Sequence, residues 1–251
     1  MTAEFKDHFS SAAAGYAAHR PSYPRELAET LAGLSPSRQR AWDAGCGSGQ
    51  LSTVLAEVFE EVAATDASAA QIASAIPHPR VRYSMAPAEA SGLPERSVDC
   101  AVAAQAVHWF DLGRYYAEVR RVAKGGGLLA LVTYNIMRVT DEVDWVVLEF
   151  YAGPLEKHWP PERRVVEEGY RSLPFPFPEL KAPPLELHQR WTFGQMVGYV
   201  GTWSAVQSLR RSGGEAEFER FESKLEAVWG NPEVVRDVRW PLNLRLGRVE
   251  V

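Results

Sequence analysis

The sequence predicts a doubly wound α/β fold, in which a mostly parallel sheet carries helices on both faces. Short apolar strands alternate with amphipathic helices over the first 135 residues, and this alternation is typical of a parallel sheet that is covered on both sides. A continuous apolar run at residues 128–134 is typical of a strand that is buried on both faces. Ligands of such sheets bind at the carboxyl ends of the strands.

The strands predicted in this half are short and apolar. They are residues 40–44, 62–65, 81–85, 98–104 and 128–134. Helices are predicted between them where apolar residues recur at spacings of three and four. The first covers residues 51–59, the second runs from its N-cap Ser68 to Pro77, and the third runs from its N-cap Asp111 to Gly125.

The second half has a different composition. Only two of the 8 Trp precede residue 140, and eight of the 17 Pro lie within residues 154–184. Three helices are predicted there, at residues 142–151, 193–209 and 215–229. Two strands are predicted, at residues 185–191 and 234–249, the second with an irregularity at Pro241. Residues 136–184 are rich in aromatic side chains, which favours an ordered lid over a disordered linker.

Composition excludes several classes of protein. The 251 residues are 46% hydrophobic, and 27 basic against 32 acidic side chains give a net charge of −5. Nucleic-acid binding depends on clustered Lys and Arg, so this charge argues against it. No apolar run reaches the roughly 18–20 residues that span a membrane, and residues 1–8 do not resemble a secretory signal. Two cysteines cannot form a disulfide framework or a Cys-rich zinc site. We therefore expect a cytoplasmic protein with no metal.

The main motif is a glycine-rich turn between the first strand and the first helix. Asp43 precedes it by two residues, and its sequence is Gly45-Cys46-Gly47-Ser48-Gly49. Glycines are needed where the backbone approaches a ligand closely. Asp66 ends the second strand, where a carboxylate can accept hydrogen bonds from a ribose. The dinucleotide pattern G-x-G-x-x-G would require a third glycine where Gln50 stands, which argues against a NAD-dependent oxidoreductase.

The glycine turn resembles motif I of class I S-adenosylmethionine-dependent methyltransferases, and the resemblance extends over roughly residues 10–135. Residues 99–110 include Ala-Gln-Ala-Val-His-Trp-Phe and resemble the fourth-strand motif of the subgroup called methyltransferase type 11. Residues 16–24 resemble the N-terminal segment of enzymes related to trans-aconitate methyltransferase, in which this segment closes over the cofactor.

The resemblance implies a Rossmann-like methyltransferase fold with a seven-stranded sheet and an inserted lid. We expect a cap and cofactor-binding core in residues 1–135, a lid or substrate region in 136–184, and C-terminal helices with the last two strands in 185–251. The implied cofactor is S-adenosyl-L-methionine. Its predicted binding residues are Tyr16, Arg20, Asp43, Gly45, Gly47, Gly49, Asp66, Ala67, Ala88, Glu89, Gln105 and Ala106.

His108 and Gln105 are the candidate catalytic residues. A histidine with an unperturbed pKa near 6.5 suits a base for a hydroxyl or amine acceptor. A carboxylate acceptor needs no base, because its pKa is about 4. The alternative interpretations are that His108 is a core residue and that Asp43 only supports the glycine turn. The whole chain could also be a cofactor-binding protein without catalysis.

The acceptor is expected to be a small molecule. The Asn/Asp-Pro-Pro-aromatic string of enzymes that methylate amino groups of nucleic acids is absent after the fourth strand, and neither cysteine follows a proline. The predicted substrate-binding residues are Tyr23, Trp109, Trp203, Arg239 and Trp240. Further cationic and aromatic groups for such a pocket are Arg138, Lys157, His158, Trp159, Arg163 and Arg164. We expect carboxylate O-methylation by a monomer or homodimer.

Overall fold

The structure, a computed structural model, describes residues 21–250. Its helices and strands follow one another in the order α1 (Arg25–Leu34), β1 (Arg40–Ala44), α2 (Gln50–Leu55), β2 (Glu61–Asp66), α3 (Ala69–Ala73), β3 (Val81–Met85), β4 (Val98–Ala104), α4 (Leu112–Val122), β5 (Ala123–Tyr134), α5 (Asp141–Ala152), α6 (Arg163–Glu167), β6 (Glu179–Leu180), β7 (Glu186–Trp191), α7 (Phe193–Gly201), α8 (Ser204–Arg211), α9 (Glu215–Trp229) and β8 (Arg236–Val249). Short 3-10 turns occur at Val107–Trp109 and Glu156–His158.

The sheet is doubly wound and mostly parallel, as predicted. Strands β1 to β5 are parallel, in the spatial order β3-β2-β1-β4-β5. Strand β8 pairs antiparallel with β5, and β6 pairs antiparallel with β8. The sheet has eight strands instead of the expected seven. The additional strand is β6, a two-residue segment of the proline-rich region that pairs with the end of β8. The predicted strand β7 pairs with the part of β8 that extends beyond the end of β5.

Strand β5 has a core on each side, as its apolar run predicts. The side chains of Leu128 and Val132 enter the core that α1 and α2 cover. Leu129 and Leu131 enter the opposite core, which α4 covers. All four are fully buried, and each burial contributes roughly 1.5–3 kcal/mol to the free energy of unfolding. These two cores hold the carboxyl ends of the parallel strands at one edge of the sheet.

A further core lies in the aromatic-rich half of the chain. It combines α5, α7, α8, α9, β7 and the first half of β8. The rings of Phe150 on α5 and Phe221 on α9 stack with their centroids 4.4 Å apart, and Trp229 and Trp240 are fully buried. Residues before and after position 184 thus share this core. The division of the chain into three parts stays a prediction.

Helix signals in the sequence were more reliable at the starts of helices than at their ends. Ser68 and Asp111 act as N-caps, since their side chains accept hydrogen bonds from backbone N–H groups in the first turn. The first predicted helix ends at Leu55 rather than at residue 59. The single helix predicted over residues 193–209 is wrong: α7 ends at Gly201, and Trp203 adopts an extended backbone before α8. This break turns Trp203 toward other aromatic rings.

Candidate active site

The candidate site lies at the edge where the parallel strands end. The glycine turn follows β1, and Asp66 is the last residue of β2. Gln105 follows β4, and Tyr134 is the last residue of β5. The parallel pairing of these strands brings their carboxyl ends together, at the position where sheets of this kind bind ligands.

Asp66 holds the glycine turn in place. Its Oδ2 accepts a hydrogen bond from the backbone N–H of Gly47 at 2.9 Å, and its Oδ1 accepts one from Ser68 N–H at 2.8 Å. The N–H groups of Gly45 and Cys46 donate to the carbonyl of Thr65, at 2.8 and 3.0 Å. The end of β2 therefore fixes the shape of the turn. Each carboxylate oxygen of Asp66 keeps lone pairs for a further donor.

The turn requires glycine at specific positions. Gly45, Gly47 and Gly49 all have positive φ, at 70°, 55° and 84°, a region that other residues adopt only at a cost. A Cβ at Gly45 would lie 2.7 Å from the Cβ of Ala106, and a Cβ at Gly49 would overlap the Tyr83 hydroxyl. Close packing against these neighbours explains two of the glycines. At Gly47 the nearest atom to such a Cβ is 3.8 Å away.

Asp43 is buried beside the turn, at 1% exposure. Its Oδ2 accepts a hydrogen bond from the Ser52 hydroxyl at 2.6 Å, and its Oδ1 has no partner in the described part of the chain. Burial raises the pKa of this carboxyl to about 7, and the Ser52 hydrogen bond opposes the shift. The carboxyl does not bond the amides of the turn, which are held by Thr65 and Asp66 instead. A buried carboxylate oxygen without a partner is suited to a cationic ligand.

Gln105 forms the bend after β4. It has a positive φ of 53°, which is uncommon for a residue other than glycine. Its Nε2 donates to the carbonyl of Tyr134 at 2.8 Å, and its Oε1 accepts from the Thr133 hydroxyl at 2.8 Å. The side-chain amide therefore joins the ends of β4 and β5. One N–H of Nε2 and one lone pair of Oε1 stay available, and the role of Gln105 toward a ligand stays a prediction.

His108 lies in the turn after this bend, and its ring is 4.9 Å from that of Trp109 between centroids. Its Nδ1 is 2.9 Å from the Tyr170 hydroxyl. Burial, and to a smaller extent the charge of Arg163, lowers the pKa of the ring to about 3. The expectation of an unperturbed pKa near 6.5 is wrong. His108 is neutral at physiological pH and is poorly suited to take a full proton.

Arg163 begins α6, and its charge contributes to the lowered pKa of His108. Its Nε donates to the Tyr151 hydroxyl at 2.8 Å. Its guanidinium carbon is 5.0 Å from the ring centroid of Trp159 and 5.6 Å from that of Tyr151, distances at which a cation is attracted to an aromatic face. The side chain is 21% exposed, and the Nε lies 3.9 Å from Glu167. The two Nη groups have no partner among the described side chains and carbonyls. In the sequence Arg163 is only one of several candidate cations, because no pattern distinguishes it from Arg164.

The structure separates the predicted substrate-binding residues. Tyr23 packs edge-on against Tyr134, with 6.4 Å between ring centroids, and Trp203 lies 5.8 Å from Trp159. Trp240 is fully buried against other rings of its core, so its prediction as a substrate contact is wrong. Strand alternation turns Arg239 away from Trp240 to an exposed pairing with Glu186 at 3.8 Å, and its contact with a substrate stays a prediction.

Other predicted cofactor residues are placed around the same edge. Ala88 is buried, and Ala67 lies between Asp66 and Ser68, which are hydrogen-bonded to each other at the end of β2. Ala106 packs against the glycine turn. Glu89 accepts a hydrogen bond from the N–H of Asp111 at 2.7 Å, which ties its loop to the start of α4. Tyr16 and Arg20 lie outside the described residues. Contacts of all these residues with a cofactor stay predictions.

Comparison with known proteins identifies the family. A family model described as a methyltransferase domain, of the type 11 group, matches residues 42–131. A solved structure from Anaeromyxobacter dehalogenans, provisionally described as a type II methyltransferase, is 54% identical and has a TM-score of 0.88. The match covers 92% of this chain and 98% of that one. This chain belongs to the class I S-adenosylmethionine-dependent methyltransferases.

More distant relatives agree. A protein from Dictyostelium discoideum that is named as a methyltransferase is 29% identical to this one. The match covers 98% of this chain and 97% of the relative. A structure from Bacillus halodurans, also named as a methyltransferase, shares the fold with a TM-score of 0.51 at 17% identity, over 90% of this chain and 99% of that one. The likeness to trans-aconitate methyltransferases stays a prediction.

The residues of the methyltransferase fit its cofactor. Asp43 Oδ1 is a buried acceptor without a described partner, which suits the ammonium group of S-adenosylmethionine. The ribose would be held by Asp66 and by the glycine turn, whose N–H groups bond Asp66 and Thr65. Within residues 21–250, no group of three or more His, Cys, Asp and Glu side chains is arranged to hold a metal ion. In the same residues, none of the helices has the length and apolar character to cross a membrane.

The free energy of unfolding of the cofactor-free methyltransferase should change with pH because of Asp43. Because its folded pKa of about 7 lies above the ordinary value near 3.9, the folded state holds a proton that the unfolded state has released. The Asp43 contribution therefore favours the folded state at low pH and is lost as pH rises from about 4 to about 7. We expect Asp43→Asn to gain stability relative to the parent protein over this range, by roughly 2–4 kcal/mol at pH 8.

Urea unfolding of both proteins between pH 4 and pH 8 measures this difference. Asparagine keeps an oxygen for the Ser52 hydroxyl, so the variant removes the charge and preserves the hydrogen bond. A difference in stability that stays constant with pH would contradict the raised pKa.

Proposed function

We propose that this methyltransferase acts on a small molecule and transfers the methyl group to a carboxylate oxygen. The observation that carries the proposal is the position of Arg163. Its side chain is four-fifths buried. Its guanidinium lies against two aromatic rings and leaves its Nη groups without described partners. A guanidinium presents a planar pair of donors that matches the two oxygens of a carboxylate.

The electrostatics around Arg163 support an anionic acceptor. Its charge contributes to the lowered pKa of His108, so the guanidinium and the imidazole share one region. Glu167 is 3.9 Å from the Arg163 Nε, and its carboxylate bonds the Tyr151 hydroxyl. This pairing places Glu167 on the Nε side and leaves the Nη side for a ligand. A positive charge that is largely removed from water attracts an anion more strongly than an exposed one does.

The chemistry of a carboxylate suits the neutral state of His108. When bound, S-adenosylmethionine supplies a methyl group that its sulfonium already activates. A carboxylate is ionised at neutral pH and does not have to lose a proton before it attacks. The protein then contributes alignment and the exclusion of water, and alignment alone can lower a barrier by up to about 7–11 kcal/mol. A hydroxyl or amine acceptor would need a base stronger than an imidazole whose pKa is about 3.

Charge and thiol chemistry support the remaining parts of the proposal. The net charge of −5 disfavours the polyanionic surface of a nucleic acid. Cys46 and Cys100 are both buried free thiols, as expected in a reducing compartment such as the cytoplasm. We propose a monomer or homodimer at that location.

A panel of di- and tricarboxylic acids, incubated with methyl-labelled cofactor, tests the proposed reaction. We expect label in an acid product that alkaline hydrolysis releases as methanol, because a methyl ester is cleaved by base and an ether or a methylamine is not. Label found only in amines or phenols would contradict carboxylate methylation.

Arg163→Met should raise the KM for the acid acceptor by roughly 10- to 100-fold, since hydrogen bonds to charged groups contribute about 1.5–3 kcal/mol. The Kd for S-adenosylhomocysteine should not change. Arg164→Met is the matched control: Arg164 is the next residue, is 83% exposed and pairs with Glu168, so its KM should equal that of the parent enzyme. Equal KM values for the two variants would exclude Arg163 as the carboxylate-binding residue.

A further inference from the structure

Within residues 21–250, the buried side-chain oxygens that have no hydrogen-bond partner include Asp43 Oδ1, Tyr115 Oη and Asn135 Oδ1. The Tyr115 ring is fully buried in the core that α4 covers. Asp43 lies near the end of β1, and Asn135 directly follows β5, so both belong to the edge where sheets of this kind bind ligands. A buried acceptor loses the hydrogen bonds that it would make in water. Asp43 suits the ammonium group of the cofactor, and Asn135 needs a donor of its own.

The contacts of Asn135 fix which of its two amide atoms is the free acceptor. One amide atom lies 2.9 Å from the backbone carbonyl of Glu167. A carbonyl only accepts, so this atom is the donor Nδ2 and the other is Oδ1. The Glu167 carbonyl is open to this bond because α6 ends there, and the N–H of Arg171 donates to Glu168 instead. Oδ1 therefore keeps its lone pairs for a ligand.

The order of the strands separates Asn135 from the groups that are predicted to hold the cofactor. The glycine turn follows β1, Asp66 ends β2, and the spatial order is β3-β2-β1-β4-β5. Neighbouring strands lie about 4.8 Å apart, so the end of β5 is about 10 Å from that of β1 and about 14 Å from that of β2. Asn135 thus belongs to the acceptor side of the site.

Helix α6 joins Asn135 to Arg163. Asn135 bonds the Glu167 carbonyl at the end of this helix. The Glu167 carboxylate bonds the Tyr151 hydroxyl, and Arg163 Nε donates to the same hydroxyl at 2.8 Å. Val166 is buried in the core beside β5, which anchors the helix. The helix rises by roughly 6 Å from Arg163 to Glu167, so one small molecule can span the free acceptor and the guanidinium.

We propose that Asn135 Oδ1 accepts a hydrogen bond from a hydroxyl group of the methyl acceptor, which is therefore a small hydroxy acid. The binding of its carboxylate by Arg163 rests on the proposed function, whereas the hydroxyl subsite rests on the contacts of Asn135. A neutral amide oxygen suits a hydroxyl better than an ammonium group, because a cation removed from water requires an opposite charge. The Glu167 carboxylate already bonds Tyr151 and lies 3.9 Å from Arg163.

The chemistry of an amide keeps the two groups of the acceptor apart in their roles. An amide oxygen is not a base at physiological pH, so the hydroxyl that Asn135 binds keeps its proton and is not methylated. The carboxylate oxygen uses its own electron pair for the new O–C bond, and the pair of the broken S–C bond stays on sulfur, so no proton moves. Asn135 is then a specificity residue, and the hydroxyl helps to align the carboxylate.

Calorimetric titration of the protein saturated with S-adenosylhomocysteine tests the subsite without methyl transfer. The compounds are pairs of acids that differ by one hydroxyl: succinate with malate, tricarballylate with citrate, and propanoate with lactate. We expect the hydroxy member of at least one pair to have a Kd at least about tenfold lower, because the other member leaves Oδ1 without a donor. In Asn135→Leu the two members of that pair should bind equally. Equal Kd values within every pair in the parent protein would overturn the proposal.

Asn231→Leu is the matched control. Asn231 is an exposed asparagine whose Oδ1 accepts from the N–H of Glu233, and its variant should keep the preference. If Asn135 only joined β5 to α6, its loss would weaken both acids of a pair by the same factor, and a preference that persists in Asn135→Leu would overturn the subsite. Asn135→Ala, which needs no additional space, replaces the leucine variant if that one does not fold.

Formation of methyl ester, measured separately with the same acids, distinguishes the subsite from the proposed function. A preference in binding with no ester formed would contradict carboxylate methylation and support the subsite. Ester formed equally well from both members of each pair would support the methylation and overturn the subsite. If no acid binds and none is methylated, both are overturned.

Discussion

Gly45→Ala is expected to lower the free energy of unfolding by about 2–5 kcal/mol. The residue has a φ of 70°, and an L-residue pays roughly 1–2 kcal/mol in this region. Its Cβ would lie 2.7 Å from the Cβ of Ala106 and 3.0 Å from the ring of Phe110. The Ala106 Cβ is attached to the backbone and cannot rotate away, so the chain must shift, at a further cost of about 1–3 kcal/mol.

Urea denaturation measures the loss, and Gly33→Ala is its control. Gly33 lies in α1, has no positive φ, and has no atom within 4 Å of the position that an alanine methyl group would take. That variant should be neutral or stabilised by up to about 1 kcal/mol, because alanine is the better helix former. Equal stability of the Gly45 and Gly33 variants would contradict the close packing of the turn against the residues after β4.

Asp66→Ala is expected to weaken the binding of S-adenosylhomocysteine by about 100-fold or more. The carboxylate of Asp66 fixes the turn through Gly47 and the start of α3 through Ser68, and its free lone pairs are proposed to bind the ribose. Loss of two hydrogen bonds to a charged group amounts to roughly 3 kcal/mol, and 1.4 kcal/mol is a tenfold change in Kd. Isothermal titration calorimetry measures the affinity directly.

Glu61→Ala is the matched control at the other end of the same strand. Glu61 pairs with Arg40 at 2.8 Å and is partly exposed, so its loss should leave the Kd unchanged. Exposed pairs of this kind contribute little to stability. An affinity for Asp66→Ala within a few-fold of the parent value would show that neither the turn nor the ribose depends on this carboxylate.

Sequence patterns predicted the cofactor half of the molecule closely because its determinants are local. The strands at Arg40–Ala44, Val81–Met85 and Val98–Ala104 have the predicted bounds. The glycine turn is a contiguous motif, each strand is a short apolar run, and each N-cap acts within the first turn of its own helix, so each can be recognised within a few residues. The distant pairing that joins these strands follows from the regular alternation of strand and helix.

Sequence patterns predicted the acceptor side less well because its determinants are long-range. Trp240 and Arg239 are adjacent, yet one is fully buried and the other pairs with Glu186 at the surface. Arg163 and Arg164 are adjacent as well, and only the first lies against aromatic rings. Which face of an element is covered depends on the segments that pack over it, and in this half those segments are separated by proline-rich chain without regular periodicity.

The sequence by itself determined the fold class, the glycine turn, its acidic partner and the family. It did not determine the state of His108, since burial and Arg163 lower its pKa to about 3 and Tyr170 contacts it from 62 residues away. Nor did it indicate that both polar atoms of the Gln105 amide bond the end of β5. Protonation and hydrogen-bond direction depend on desolvation and on partners from distant segments, and only the tertiary structure brings those together.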